Sequence, residues 1–186
     1  MDPATETLPS LQALATEVRA VNAANGWGLH FDFDDIPNYI ALLHSEVTEA
    51  ALAKTQGETV RELGDVIVRA IDLAELLSPG ALGRVYLEGP TLETTRFPTP
   101  GDPRTLPDAA ALLELHSLIS GPLEDYRKIK GRETAVEMVL AGLCGVIAYA
   151  WACMKRWDPA CVPTVIVLGT LEKNRSRGYR HGGRRA

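Results

Sequence analysis

Apolar residues recur at helical spacing along most of this 186-residue chain, whereas the two-residue alternation typical of strands is almost absent. The spacing predicts helices from Leu8 to Asn25, from Pro37 to Lys54 and from Glu58 to Leu77. Beyond these it predicts four further helical segments, at 108–120, 123–130, 133–155 and from Pro163 to just before Gly178. We therefore predict an all-α fold built as a helical bundle.

Glycine and proline divide the chain into two halves. Repeated Gly and Pro clusters from 80 to 107 predict an irregular connector between an N-terminal helical half, 1–79, and a C-terminal helical half, 108–186. Gly121-Pro122 is predicted to interrupt the first helix of the second half. With 46% apolar residues the two halves can share one core, so we expect one compact domain.

One apolar segment raises the question of a membrane span. Residues 138–154 carry no charge and are followed by two cations. The segment lies at the short end of the spanning range, contains Gly142 and Gly145, and has no second segment like it. We predict a buried core helix and no membrane partner.

The cysteines and the N-terminus indicate the compartment. The first ten residues lack the basic and apolar regions of a secretion signal. The three cysteines form no C-x-x-C pair and lie in or beside apolar sequence; they are Cys144, Cys153 and Cys161. We expect a reducing, cytoplasmic location, with neither a disulfide framework nor a zinc site.

Four acids form two pairs, Glu46-x-x-Glu49 and Glu62-x-x-Asp65, on two consecutive predicted helices. Residues three apart share a helix face, so each pair can direct two oxygens to one point. Glu46 falls inside the apolar arc of its helix, where an unpaired carboxylate is costly. Oxygen ligands in such a cluster favour Mg²⁺, with Mn²⁺ as a substitute.

A simpler interpretation stays open for the second pair. Glu62 and Asp65 could instead form salt bridges along their own helix with Arg61 and Arg69. His44 precedes Glu46 by two residues and therefore points to another face, so we do not expect it to bind the metal.

The charge is uneven along the chain. The net charge is −5, yet from Lys173 to Arg185 there are six cations and no acid. An acidic body with a basic tail is suited to holding metal in one place and phosphate in another, although a solvated tail or a weak nucleic-acid contact is the simpler alternative.

The two halves also show short similarities. Leu43-His44-Ser45 has a counterpart in Leu115-His116-Ser117, and 63–67 resembles 143–147. These matches indicate an internal duplication with a degenerate second half. In this alignment all four acids are lost: Glu46, Glu49, Glu62 and Asp65 become Leu118, Gly121, Gly142 and Gly145.

Together these segments resemble the MazG-like nucleotide pyrophosphohydrolases of the all-α NTP pyrophosphatase superfamily. The similarity lies in residues 40–50 and 61–74, which carry the E-x-x-E and E-x-x-D motifs, and in 171–183, which match a K-x-x-N-x-x-R-x-Y-x-H-G tail. Trp27, in a Gly-Trp pair upstream, is similar as well. Residues 78–164 depart from the pattern of many members, in which the tail follows soon after the second motif.

The resemblance implies Mg²⁺-dependent hydrolysis of a nucleoside or deoxynucleoside triphosphate to a monophosphate and pyrophosphate, in nucleotide-pool cleansing. Glu46, Glu49, Glu62 and Asp65 would hold metal, and Glu46 or Glu49 would act as general base. The expected substrate-binding residues are Trp27, Lys54, Lys173, Asn174, Arg177, Tyr179, Arg180 and His181.

Two alternatives remain from the sequence. One is a non-catalytic nucleotide-binding or scaffold protein with the same bundle, and the other is a related hydrolase of phosphoribosyl-nucleotides. The intact set of four acids weighs against the scaffold, and the tail fits the second enzyme less well. We expect a triphosphate as partner and no nucleic acid, and we leave a homodimer open.

Overall fold

The computed structural model describes residues 8–85, 102–177 and 179, and this part of the chain contains helices joined by turns and loops, with no strand. The all-α prediction is therefore confirmed. The helices are α1 (Leu11–Ala24), α2 (Ile36–Leu52), α3 (Gln56–Leu77), α4 (Ala81–Val85), α5 (Asp108–Lys128), α6 (Arg132–Trp157) and α7 (Pro163–Arg175), with 3₁₀ turns at Phe33–Asp35 and Pro103–Thr105.

Local capping fixes the junction between α2 and α3. The Thr55 side chain accepts a hydrogen bond from the Glu58 backbone N–H, and the Glu58 carboxylate accepts from the backbone N–H groups of Thr55 and Lys54. This capping box satisfies the first free N–H groups of α3. It ends α2 at Leu52, two residues earlier than the apolar spacing predicts.

Four long helices form the centre of the molecule. Within the first half α2 packs against α3, and within the second half α5 packs against α6. Between the halves, α3 packs against α6 and α2 packs against α5. α1 and α7 both pack on α3. The fully buried side chains of this core include Leu43, Leu63, Ile67, Leu115, Ile119 and Leu143.

The prediction that Gly121-Pro122 interrupts a helix is wrong, because α5 runs unbroken through Pro122. Proline inside a helix removes one backbone hydrogen bond and crowds the preceding turn. Here its ring is buried against α6 at Gly142, where an added Cβ would lie 2.6 Å from the Pro122 Cγ. A neighbouring helix with no side chain at that position makes room for the ring.

The predicted connector is helical at both of its described ends, since α4 follows Gly80 and a 3₁₀ turn occupies Pro103–Thr105. Residues 86–101 lie outside the described part of the chain.

α6, the apolar helix, is long and apolar enough to cross a membrane by composition alone, and 56% of its most apolar 18-residue stretch is buried. It packs against α3 and α5, as expected for a core helix.

α2 and α5 repeat one pattern of burial at a separation of 72 residues. They begin at Ile36 and Asp108, and His44 and His116 lie face to face with their Nδ1 atoms 2.8 Å apart. Thr48 donates to the His44 carbonyl at 2.9 Å, and Ser120 donates to the His116 carbonyl at 3.0 Å. The buried positions Ile40, Leu43, Val47 and Ala50 correspond to Leu112, Leu115, Ile119 and Pro122.

α3 and α6 repeat a second pattern, ending 80 positions apart at Leu77 and Trp157. Each is followed by a turn with proline in second place. The Ala81 N–H donates to the Ser78 carbonyl at 2.9 Å, and the Cys161 N–H donates to the Asp158 carbonyl at 3.1 Å. The buried positions Leu63, Ile67, Ile71 and Ala74 correspond to Leu143, Ile147, Trp151 and Met154.

Candidate active site

A cleft of about 330 Å³ opens along α2 and α3, beside the ends of α1 and α7. Its volume lies in the range of small-molecule sites. All four acids of the two motifs line it, together with three residues of the predicted tail. The lining residues are Asn22, Trp27, Tyr39, Leu42, Glu46, Glu49, Glu62, Asp65, Val68, Arg69, Asp72, Lys173, Asn174 and Arg177.

Three of the acids converge. Carboxylate oxygens of Glu46, Glu49 and Glu62 all lie within 4.8 Å of one another. Ligands of an octahedral Mg²⁺ are about 3.0 Å apart when adjacent and about 4.2 Å apart when opposite, so the carboxylate oxygens need to approach one another by at most about 2 Å to share an ion. The oxygen-only donor set fits a hard divalent cation. Asp65 lines the same cleft outside this trio.

Without a bound cation, burial and mutual repulsion make it unfavourable for all four motif carboxylates of the cleft to be charged. Burial raises the pKa of Asp65 to about 6, and the Glu46 and Glu62 charges add to the increase, while Lys173 opposes it. Burial and the charges of Glu49 and Glu46 likewise raise the pKa of Glu62. A bound divalent cation would relieve this repulsion.

Glu46 is buried, as its place in the apolar arc predicts, and it has a cationic partner. The Nε–H of Arg69 donates to Glu46 Oε1, which joins α3 to α2. The alternative of salt bridges from Asp65 to Arg61 and Arg69 is not formed, because Arg69 bonds Glu46 and the Arg61 Nε–H donates to the Gly57 carbonyl at 3.3 Å. Within the described residues Asp65 has no ion pair.

Four polar residues of the cleft wall were missed from the sequence. They include Arg69 and Asp72, which continue the stripe of Glu62 and Asp65 along α3 at spacings of three and four residues. That spacing was the available signal, since it places all four on one helix face. The other two are Asn22 of α1 and Tyr39 of α2, and burial raises the pKa of Tyr39 to about 12.

An ion pair anchors the loop that carries Trp27. Arg19 of α1 donates both to Asp72 and to the Trp27 carbonyl. Burial raises the pKa of Asp72 to about 6, although Arg19 and a hydrogen bond from Asn22 oppose the shift. The loop is flanked by Gly26 and Gly28, at φ 85° and 68°, where other residues are strained.

The predicted tail enters the cleft through α7. Lys173 and Asn174, in its last turn, and Arg177 just beyond it all line the cleft. The Asn25 side-chain amide donates to the Asn174 carbonyl at 2.9 Å and so ties α7 to the end of α1. α7 approaches α3 closely at Gly64, where an added Cβ would lie 2.9 Å from Ile166.

Two other predicted substrate-binding residues, Lys54 and Tyr179, do not line the cleft. Lys54 is exposed at the turn between α2 and α3 and does not line the cleft. Tyr179 is exposed, and its ring lies against Gly26, with Cε2 2.4 Å from the position of a Cβ there. Arg180 and His181 lie outside the described residues. His44 faces His116 on α5, away from the acids.

Comparisons with models of known protein families, with curated proteins and with solved structures find no match for this chain.

Proposed function

We propose that this protein is a Mg²⁺-dependent hydrolase that cleaves a nucleoside or deoxynucleoside triphosphate to a monophosphate and pyrophosphate. One observation carries the proposal: three converging carboxylates and the basic end of α7 line the same cleft. An anionic, metal-bound substrate requires both kinds of group within reach of one another.

Glu46, Glu49 and Glu62 would hold the cation, and Asp65, which lines the same cleft outside this trio, stays a predicted ligand. When bound, such an ion neutralises phosphate charge and lowers the pKa of a coordinated water. Glu49 is exposed and has no ion pair within the described residues, whereas Glu46 bonds Arg69. Of the two predicted general bases, Glu49 therefore has the freer carboxylate to accept a proton from water.

The remaining groups of the cleft would orient the substrate. Lys173 and Arg177 supply cations for the phosphates, and an arginine can do so by two parallel hydrogen bonds. Trp27 and Tyr39 offer aromatic surface for a base or sugar, and Asn174 offers an amide. Lys54, Tyr179, Arg180 and His181 stay predicted contacts, for which the described cleft supplies no support.

We also propose that the second half is a degenerate copy of the first, in the all-α NTP pyrophosphatase arrangement. The repeated burial at separations of 72 and 80 residues, the facing His44 and His116 and the two matching proline turns support it. α5 and α6 would then complete the core for α2 and α3, and each chain would carry a single site in a cytoplasmic, pool-cleansing enzyme.

The test is a panel of NTPs and dNTPs incubated with Mg²⁺, with pyrophosphate and phosphate resolved as products. We expect monophosphate and pyrophosphate, abolished by EDTA. Glu46→Gln should reduce turnover at least about 100-fold. Glu137→Gln, on the exposed face of α6, is the matched control and should be unaffected.

Two results would contradict the proposal. Release of phosphate without pyrophosphate would mean that a different bond is cleaved. No turnover of any nucleotide by folded, helical protein would favour the non-catalytic nucleotide-binding or scaffold alternative instead.

A further inference from the structure

Arg69 holds a position that the proposed reaction does not explain. It projects from α3 one turn beyond Asp65 and lines the cleft, and its side chain is 39% exposed. Its Nε–H bonds Glu46, which is one of the three converging carboxylates. A cation of the protein thus occupies the carboxylate that a metal ion would need.

The guanidinium and a metal ion compete for Glu46. Both are positively charged and both seek the lone pairs of the same carboxylate, so each weakens the binding of the other. Glu46 is buried and has no other ion-pair partner within the described residues. Arg69 is therefore the counter-ion that makes its burial tolerable when the cleft holds no metal.

Arg69 also has a second place to bind. The same cleft is lined by Lys173 and Arg177, the groups proposed to hold phosphate. A guanidinium released from Glu46 keeps all of its donors and can form two parallel hydrogen bonds to a phosphate. The side chain is long and 39% exposed, so its guanidinium has room to change partners by rotation of its own torsions.

We propose that Arg69 has two positions, on Glu46 when the cleft contains no divalent cation and on the polyphosphate of the substrate when it does. Metal binding would free the guanidinium that grips the substrate, and substrate would remove the competitor of the metal. The two ligands would then bind cooperatively, and the coupling must be equal in both directions. This inference rests on the proposed function.

The test measures Mn²⁺ binding to the full chain without nucleotide, by titration calorimetry and by the electron paramagnetic resonance signal of free Mn²⁺. Arg69→Gln should bind Mn²⁺ at least about tenfold more tightly than wild type, because the competing charge is gone. Arg61→Gln removes the same charge from the exposed face of α3 and is the matched control, expected within about twofold of wild type.

A second measurement tests whether Arg69 binds the polyphosphate of the substrate. The Mn²⁺–tripolyphosphate complex, added to protein saturated with Mn²⁺, should bind Arg69→Gln at least about tenfold more weakly than wild type. Arg69→Lys keeps the charge and loses the planar fork. In both measurements the affinity of Arg69→Lys should lie between those of wild type and Arg69→Gln. Arg69→Lys serves as the test if circular dichroism shows that Arg69→Gln does not fold.

The outcomes separate this inference from the proposed function. If wild type binds Mn²⁺ and Arg69→Gln binds it equally or less tightly, Arg69 positions Glu46 only and the two-position inference is wrong, while the proposed function stands. If wild type, Arg69→Gln and Arg61→Gln all fail to bind Mn²⁺, the proposed metal site is wrong and this inference fails with it.

Discussion

The two helical halves bury corresponding positions and differ at the positions of the four motif acids. α2 and α3 carry the acids of the cleft on the side where α1 and α7 pack, whereas α5 and α6 have Leu118, Gly121, Gly142 and Gly145 at the aligned positions. Packing in the shared core constrains both halves in the same way. The candidate chemistry therefore depends on a few positions whose residues can differ while the core is kept.

Exchanging aligned residues should produce the largest effect. Glu49→Gly gives the first half the residue of the second, and we expect NTP hydrolysis to fall at least about 100-fold because a carboxylate of the converging trio is lost. Steady-state assays with a fixed nucleotide at saturating Mg²⁺ measure the loss.

Gly121→Glu is the reverse exchange and the control for it. A Cβ at Gly121 meets nothing within 4 Å, so activity should not change and the free energy of unfolding should rise by up to about 1 kcal/mol from helix propensity. A loss of activity in Gly121→Glu would mean that the second half also contributes to the reaction.

The next effect concerns Asp72, whose counterpart in α6 is Ala152. Arg19→Met should lower the free energy of unfolding by about 2–3 kcal/mol, because it leaves the buried Asp72 without its cation. The double variant Arg19→Met/Asp72→Ala should recover most of that loss. Urea unfolding of wild type, Arg19→Met, Asp72→Ala and the double variant gives the coupling energy, and additive effects would show that the pair is not coupled.

Two glycines of α6 should respond in opposite directions. Gly142→Ala places a Cβ 2.6 Å from the buried Pro122 ring and should cost about 1–3 kcal/mol of unfolding free energy. Gly145→Ala meets nothing within 4 Å and should gain up to about 1 kcal/mol. Thermal unfolding measures both, and equal effects would contradict the close packing of α5 on α6.

The smallest effect is expected at His44 and His116, where the halves meet. Burial lowers the pKa of both imidazoles, and the neighbouring ring lowers that of His44 further. The folded state then binds fewer protons than the unfolded state, so their contribution to stability is complete above about pH 6.5 and is lost as the pH falls below it.

The measurement is unfolding free energy in EDTA from pH 7.5 to 5, for wild type and for His44→Gln/His116→Gln. Wild type should lose stability relative to the double variant as the pH falls over this range. Asp65 and Asp72, whose raised pKa values act with the opposite sign, are present in both proteins and cancel in the difference. A constant difference would mean that folding does not lower the pKa of either imidazole.

Much of the fold could be predicted because its signals are local. The apolar spacing located the long helices, although it divided α5 in two. Turn and first-turn residues mark the end of α3 at Leu77 and the start of α7 at Pro163. Pro122 could not be placed, because its tolerance depends on Gly142, a residue of another helix 20 positions away. Local rules for proline carry no information about the neighbouring helix.

The candidate site, too, could be predicted only in part. Both acid pairs and the tail residues Lys173, Asn174 and Arg177 were predicted from motifs, and the fold brings them into one cleft. The partner of Glu46 could not be predicted, because Arg69 reaches it from another helix and the sequence equally permitted a salt bridge from Arg69 to Asp65. Which of two neighbouring acids an arginine selects depends on how the helices are turned toward each other.

The pairing of α3 with α6 and of α2 with α5 takes place within one chain. Two separate chains that formed the same core would dissociate on dilution by mass action, and their activity would fall with the square of their concentration. Linked halves meet at a fixed effective concentration that does not depend on how many molecules are present. This core therefore stays assembled in a cell that contains only a few copies of the protein.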